Sequence, residues 1–117
     1  MTEIAIDELA QRLGAVTILD VRSAQEYDGS LGHHCDPRQG HIPGALHLDV
    51  SRLMELEPSE IESVLRLGPG GEVIAYCHSG SRSAIATKIL CSLGYDARNY
   101  VGSWHEWSRH DDLPVEL

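Results

Sequence analysis

The sequence predicts an α/β fold with a parallel sheet, and three observations carry that prediction. Short apolar, β-prone runs alternate along the chain with segments of helical periodicity, the pattern of parallel strands joined by helical crossovers. The helical segments are bounded by capping residues at one end and glycine at the other. The run from Glu72 to Ser83 passes from strand through a short loop into helix, so its strand end faces a helix start.

Each element has its own signal. Residues 7–13 read as a short helix closed by Gly14, and residues 15–19 as a buried strand leading into Asp20. Ser23-Ala24-Gln25-Glu26 fits a capping box that opens a helix. Residues 28–44 are rich in Gly, His, Pro and Asp, a loop near the usual upper length for compact domains. Residues 45–48 read as a short strand and 49–56 as a short helix. Ser59-Glu60-Ile61-Glu62 is a second capping box, for a helix to Leu67 stopped by Gly68-Pro69-Gly70-Gly71. Residues 72–76 form a strand. Ile85, Ala86, Ile89, Leu90 and Leu93 fall at helical spacing before Gly94. Residues 97–101 read as a last strand, and Ser103-Trp104-His105-Glu106 as a third capping box for a terminal helix. No internal repeat or low-complexity linker interrupts this order.

At 117 residues the chain is the size of one domain, and it is expected to be one from residue 1 to 117. It lacks Phe, so Leu, Ile, Val and Ala have to fill most of the core. A net charge of -9 weighs against nucleic acid and anionic membrane surfaces as partners. An anionic substrate would have to be attracted locally. The three cysteines, Cys35, Cys77 and Cys91, form no CxxC and no even set, so a disulfide framework is not expected. The acidic N-terminus lacks the pattern of a signal peptide, and no stretch is long enough to span a bilayer. The expected location is a reducing cytoplasm.

Chemistry concentrates at Tyr76-Cys77-His78-Ser79-Gly80-Ser81-Arg82-Ser83. Here a thiol takes the first position of a loop between a strand and a helix. Loop N–H groups and the helix N-terminus favour thiolate at such a position. A free Cys is commonly a small core residue. The polar, glycine-bearing turn around Cys77 weighs against that fate and for a nucleophile. Ligands of parallel sheets sit outside the carboxyl ends of strands, where both Cys77 and Asp20 are placed.

Four residues separate Cys77 from Arg82, and at this point the chain resembles the rhodanese family of sulfurtransferases, with a six-residue loop that starts at Cys. Cysteine phosphatases use a loop one residue longer, a larger cradle for a tetrahedral oxyanion. Asp20-Val21-Arg22 with Glu26-Tyr27 resembles the family's first motif, and Gly40-His41-Ile42-Pro43-Gly44-Ala45 its second. Gly102-Ser103-Trp104-His105-Glu106-Trp107 resembles the C-terminal motif of thiosulfate and mercaptopyruvate sulfurtransferases. The resemblance runs from about residue 4 to 115 and is nearest to single-domain thiosulfate sulfurtransferase-like members.

The resemblance implies a rhodanese-like fold, a central parallel sheet of about five strands with helices on both faces. It implies a thiosulfate sulfurtransferase that moves a sulfane sulfur from a small anionic donor to cyanide or a cellular thiol through a Cys77 persulfide. A sulfur-carrier protein is a further candidate acceptor. No metal or organic cofactor is required. Cys77 and Arg82 are the expected catalytic residues, Arg82 as an anion clamp or a brace of the loop. His78, Ser79, Gly80, Ser81 and Ser83 are expected to bind substrate, His78 by adding charge when protonated and the serines by donating hydrogen bonds or capping the next helix. Asp20, Arg22, His41 and Trp104 are expected to support the rim, with Trp104 a candidate wall of the site. Trp107 is expected in the core and Cys91 packed within its helix.

Two features depart from the family. His78-Ser79 replaces both the Arg-Lys pair of vertebrate-type thiosulfate enzymes and the Gly-plus-small-residue pair of mercaptopyruvate enzymes, which leaves the donor open. An insertion at about residues 28–40 carries His33-His34-Cys35, adjacent residues that are poorly placed to chelate one ion. Cys35 is also a candidate resolving thiol. Similar insertions ending in Asp-Pro-Arg precede the second motif in tandem-domain sulfurtransferases. The competing functions are a cysteine phosphatase or arsenate reductase, and a non-catalytic binding module of the same fold.

Overall fold

The computed structural model describes residues 3–117. Its sheet has four parallel strands, β1 (Thr17–Asp20), β2 (Leu46–His47), β3 (Glu72–Tyr76) and β4 (Asp96–Asn99), in the spatial order β2-β1-β3-β4. The expectation of about five strands is one too many among the described residues. Glu3 makes one parallel bridge to Asn99, and Ile4 N–H donates to the Asn99 carbonyl at 3.1 Å. The chain then turns into α1 (Ile6–Gln11) before a fifth strand can extend.

The remaining helices are α2 (Ala24–Asp28), α3 (Val50–Leu53), α4 (Pro58–Leu65), α5 (Ser81–Ser92) and α6 (Ser103–Trp107). Residues of β3 alternate between two cores, as the two-residue period of a strand requires. Val73, Ala75 and the following Cys77 pack with Leu53 of α3, Ile61 and Leu65 of α4, and Ala86 and Leu90 of α5. Ile74 and Tyr76 pack with Leu9 of α1 and with Trp104 and Trp107 of α6. Helices therefore cover both faces, as expected.

The first core is mainly aliphatic, in line with the composition. The second is not. It is built around Tyr76, Tyr100, Trp104 and Trp107, which together with Arg22 are the largest fully buried side chains. Without Phe, the chain places most of its aromatic rings on one face of the sheet, with Tyr95 in the first core.

Helix starts show where local signals hold. At α2, Ser23 Oγ accepts from Glu26 N–H, and the Glu26 carboxylate accepts from Ser23 N–H. The second expected box is displaced by two residues: Pro58 takes the first turn of α4 and the Glu60 carboxylate accepts from Glu57 N–H at 3.0 Å. Proline's fixed φ and missing donor suit that place better than Ser59 does. The third box is absent, because the Ser103 hydroxyl is engaged with other backbone groups.

Asp20 pairs in register with Tyr76 on the neighbouring strand. Asp20 and Cys77 thus reach the same carboxyl edge of the sheet, and the site assembles there.

Candidate active site

Cys77 follows the last residue of β3, and its surroundings fix its backbone. Its N–H donates to Ser103 Oγ at 3.1 Å. Its carbonyl accepts from Trp104 N–H at 2.9 Å, and the His78 carbonyl accepts from His105 N–H at 3.0 Å. The start of α6 thereby docks on the start of the loop. Gly80 then turns the chain with φ +97, and a Cβ there would lie 2.8 Å from the Val101 carbonyl oxygen. Only glycine meets both conditions without strain. Asn99 Nδ2 donates to the Gly80 carbonyl at 3.2 Å.

This path wraps the sulfur in donors. Gly80 N–H lies 3.1 Å from Cys77 Sγ and Ser83 N–H 3.4 Å, and Ser83 Oγ is 3.3 Å away. The expectation that a polar, glycine-bearing turn keeps Cys77 out of a core is corrected, since Cys77 has no exposed surface and joins the aliphatic core. Burial pushes the thiol up. The hydroxyl of Ser83 and the N–H groups of Ser83, Gly80 and Ser79 outweigh it, and the thiol lies below its ordinary value. The loop solvates the thiolate in place of water.

Arg82 does not point its guanidinium at open space. Nη1 and Nη2 donate to the two Glu26 carboxylate oxygens at 2.9 and 3.2 Å. Burial raises the Glu26 carboxyl, but Arg82 and Ser23 pull it down to about 2. Of the two roles expected for Arg82, this geometry is that of a brace between the loop and α2. His78 is also held: Nε2 lies 2.9 Å from Asp36 Oδ2, and its ring stacks on His33 at 3.7 Å. Burial pushes the imidazole down, Asp36 pulls it up and His33 pushes it down again, for a net lowering. The shift runs against the protonated form through which His78 was expected to add charge. Ser79 and Ser81 are exposed, and no side chain caps α5, whose N-cap is Gly80.

The expected supports are buried but do not form one group. Arg22 donates to Asp20 at 2.9 Å from Nε and 2.6 Å from Nη2, and Nη2 also reaches the Gly40 carbonyl at 2.7 Å. Tyr76 OH donates to Asp20 Oδ2 and accepts from Ile42 N–H. His41 lies apart from this pair, stacked on Tyr27 at 3.8 Å, with Nε2 3.1 Å from Glu116. Trp104 is fully buried and does not wall the site. Its ring lies 5.0 Å under the Arg22 guanidinium, and Nε1 donates to the Arg38 carbonyl. Trp107 is in the core, as expected. Cys91 is exposed on α5 rather than packed, and Cys35 is exposed as well.

Several residues that build the site carry little signal of their own. Ser103 resembled a helix cap and instead holds the Cys77 N–H. Arg38 donates to the carbonyls of Trp107, Ser108, His110 and Leu113, clamping the insertion onto the C-terminal segment. Asp36 is buried beneath His78 and Arg109. The Asp36-Pro37-Arg38 ending of the insertion was the available hint. An open cleft of about 450 Å³ adjoins the loop, lined by Ser79, Val101, His105 and Arg109 among others.

The chain is 38% identical over 122 residues to the thiosulfate sulfurtransferase of Azotobacter vinelandii, an alignment covering 95% of this chain and 44% of that protein. A solved structure of a probable thiosulfate sulfurtransferase is 43% identical, with a TM-score of 0.85 over 99% of this chain and 48% of that one. A human single-domain sulfurtransferase is 30% identical, with a TM-score of 0.74 over 96% of this chain and 99% of that one. The chain spans 44% of the length of the Azotobacter relative. Residues 5–110 match the rhodanese-like domain model, and the chain belongs to the rhodanese-like domain family.

Proposed function

We propose that this protein is a sulfurtransferase that passes a sulfane sulfur through a persulfide on Cys77, with thiosulfate as a donor. The observation that carries the reading is the ring of donors, Gly80 N–H, Ser83 N–H and Ser83 Oγ, around one buried sulfur. The names of its relatives support it.

In the first step the Cys77 thiolate attacks the outer sulfur of thiosulfate. A sulfur–sulfur bond forms to Cys77, the donor's own sulfur–sulfur bond breaks, and sulfite leaves with the electron pair. The loop donors then hold the persulfide anion, as an oxyanion hole holds developing charge. In the second step cyanide or a thiol attacks the outer sulfur, and Cys77 leaves as thiolate. No net oxidation occurs, so the cycle needs no redox partner. Arg82 keeps the loop in shape through Glu26. The loop N–H groups of Gly80 and Ser83 supply the local attraction that a chain of net charge -9 lacks at long range.

All groups that carry this transfer lie in this one domain. Its three free cysteines suit a reducing compartment, and the proposed location is the cytoplasm. Among the described residues no helix is long and apolar enough to cross a membrane. The test is steady-state thiocyanate formation from thiosulfate and cyanide. Parallel double-reciprocal lines and loss of turnover in Cys77→Ser are expected. Turnover that survives Cys77→Ser contradicts the proposal.

A further inference from the structure

The insertion holds a second cluster that sulfur transfer does not use. A turn from His33 to Asp36, closed by Asp36 N–H donating to the His33 carbonyl at 2.9 Å, brings two unlike groups together. Cys35 Sγ lies 4.0 Å from Asp36 Oδ1. His78, from the segment after β3, adds Nε2 at 2.9 Å from Asp36 Oδ2. These sulfur, oxygen and nitrogen atoms all lie within 4.8 Å of one another. His105 of α6 brings Nδ1 to 3.6 Å from Asp36 Oδ1.

We infer that Cys35, Asp36, His78 and His105 form a binding site for a thiophilic divalent ion of the zinc type. Thiolate, carboxylate and imidazole are the ligands zinc takes, and four of them complete a tetrahedral shell. Bonds of about 2.0–2.3 Å put the ligands of such an ion roughly 3.3–3.8 Å apart. Cys35, Asp36 and His78 therefore need an inward movement of about 1 Å, and Cys35 is exposed on its turn and can make it. The ion would replace the proton between His78 Nε2 and Asp36 Oδ2.

The supports of the ligands are already in place. Arg109 Nη1 donates to Asp36 Oδ1 at 2.9 Å and Nη2 to the Cys35 carbonyl at 2.8 Å, which orients the carboxylate and fixes the turn. Stacking on His33 fixes the plane of the His78 ring. Two negative ligands match the charge of the ion, and Arg109 remains as an outer partner of the carboxylate. This set differs from the adjacent His33-His34-Cys35 run, because its members come from three separate segments. A bound ion would tie the insertion to the residue beside the nucleophile.

The test is a titration of the reduced protein with Co²⁺ in a Cys77→Ser background, which removes the active-site thiol as a ligand. One equivalent of cobalt should give a near-ultraviolet thiolate charge-transfer band and the visible bands of four-coordinate cobalt, both displaced by zinc. Cys35→Ala should abolish the charge-transfer band. His105→Ala should weaken binding by about tenfold or more. Both positions are exposed, and unchanged circular dichroism would show that the fold is kept. Absence of the bands, or bands unchanged in Cys35→Ala, would overturn the site. Neither result bears on sulfur transfer, which is read separately.

Discussion

Ser83 touches the Cys77 sulfur twice, through its N–H and its hydroxyl. Ser83→Ala removes only the hydroxyl. A hydrogen bond to a charged group contributes about 1.5–3 kcal/mol. The thiol of the variant should titrate at higher pH than in the wild type, because a donor that lowers it is gone. Sulfur loading should slow by about tenfold or more at neutral pH. Alkylation of Cys77 by iodoacetamide across a pH series measures the first effect, and single-turnover loading the second. An unchanged midpoint would mean that the N–H groups alone set the acidity. Cys77, Gly80 and Ser83 were legible in the sequence because strand, turn and helix start are local patterns. Ser103 was not, since a serine before a helix looks like a cap, whereas its real partner, the Cys77 N–H, is distant in sequence.

Among the elements, the insertion between α2 and β2 departs most from its sequence reading. Its composition suggested only a long loop. Instead Arg38 spans four carbonyls of the C-terminal segment, and Arg109 returns to Asp36 and the Cys35 carbonyl. Arg38→Ala leaves those carbonyls without their donor and should cost about 2 kcal/mol. Thermal unfolding should show a Tm lower by roughly 10 °C. Hydrogen exchange should speed up in residues 29–39 and 107–113 while β3 stays protected. Equal loosening of β3 would mean that Arg38 supports the core rather than the insertion. The strands and most helices were legible from apolar runs and glycine stops. The start of α4 was misplaced by two residues because Pro58 at the first turn outweighs the serine next to it. Of the clamp only the Asp36-Pro37-Arg38 ending was visible, because an arginine that binds distant carbonyls leaves no periodic trace.

Over the whole molecule, the rim of the site is tied together by one buried and one half-buried ion pair. Asp20, Arg22 and Tyr76 join β1, β3 and the end of the insertion, and Glu26 with Arg82 joins α2 to α5. The second pair gives a pH dependence. The folded Glu26 carboxyl lies at about 2, below its ordinary 4.5, so the unfolded chain takes up the proton first as pH falls. The stability it contributes is present above about 4.5 and is lost progressively down to about 2. In urea unfolding, Glu26→Gln should be less stable than wild type at pH 6, and its stability should fall less steeply between those pH values. Identical slopes would remove the ion pair from the acid response. The sequence placed Asp20 and Arg22 together because they are two residues apart. It could not pair Glu26 with Arg82 across 56 positions, although both stand in recognisable motifs.

The most direct test of sulfur transfer through Cys77 is the intact mass of the reduced protein after incubation with thiosulfate, with Cys77→Ser as control. The wild type should gain the mass of one sulfur atom, the control none, and cyanide should remove the added sulfur as thiocyanate. A wild-type mass that does not change, or an equal gain in Cys77→Ser, would contradict a Cys77 persulfide formed from thiosulfate.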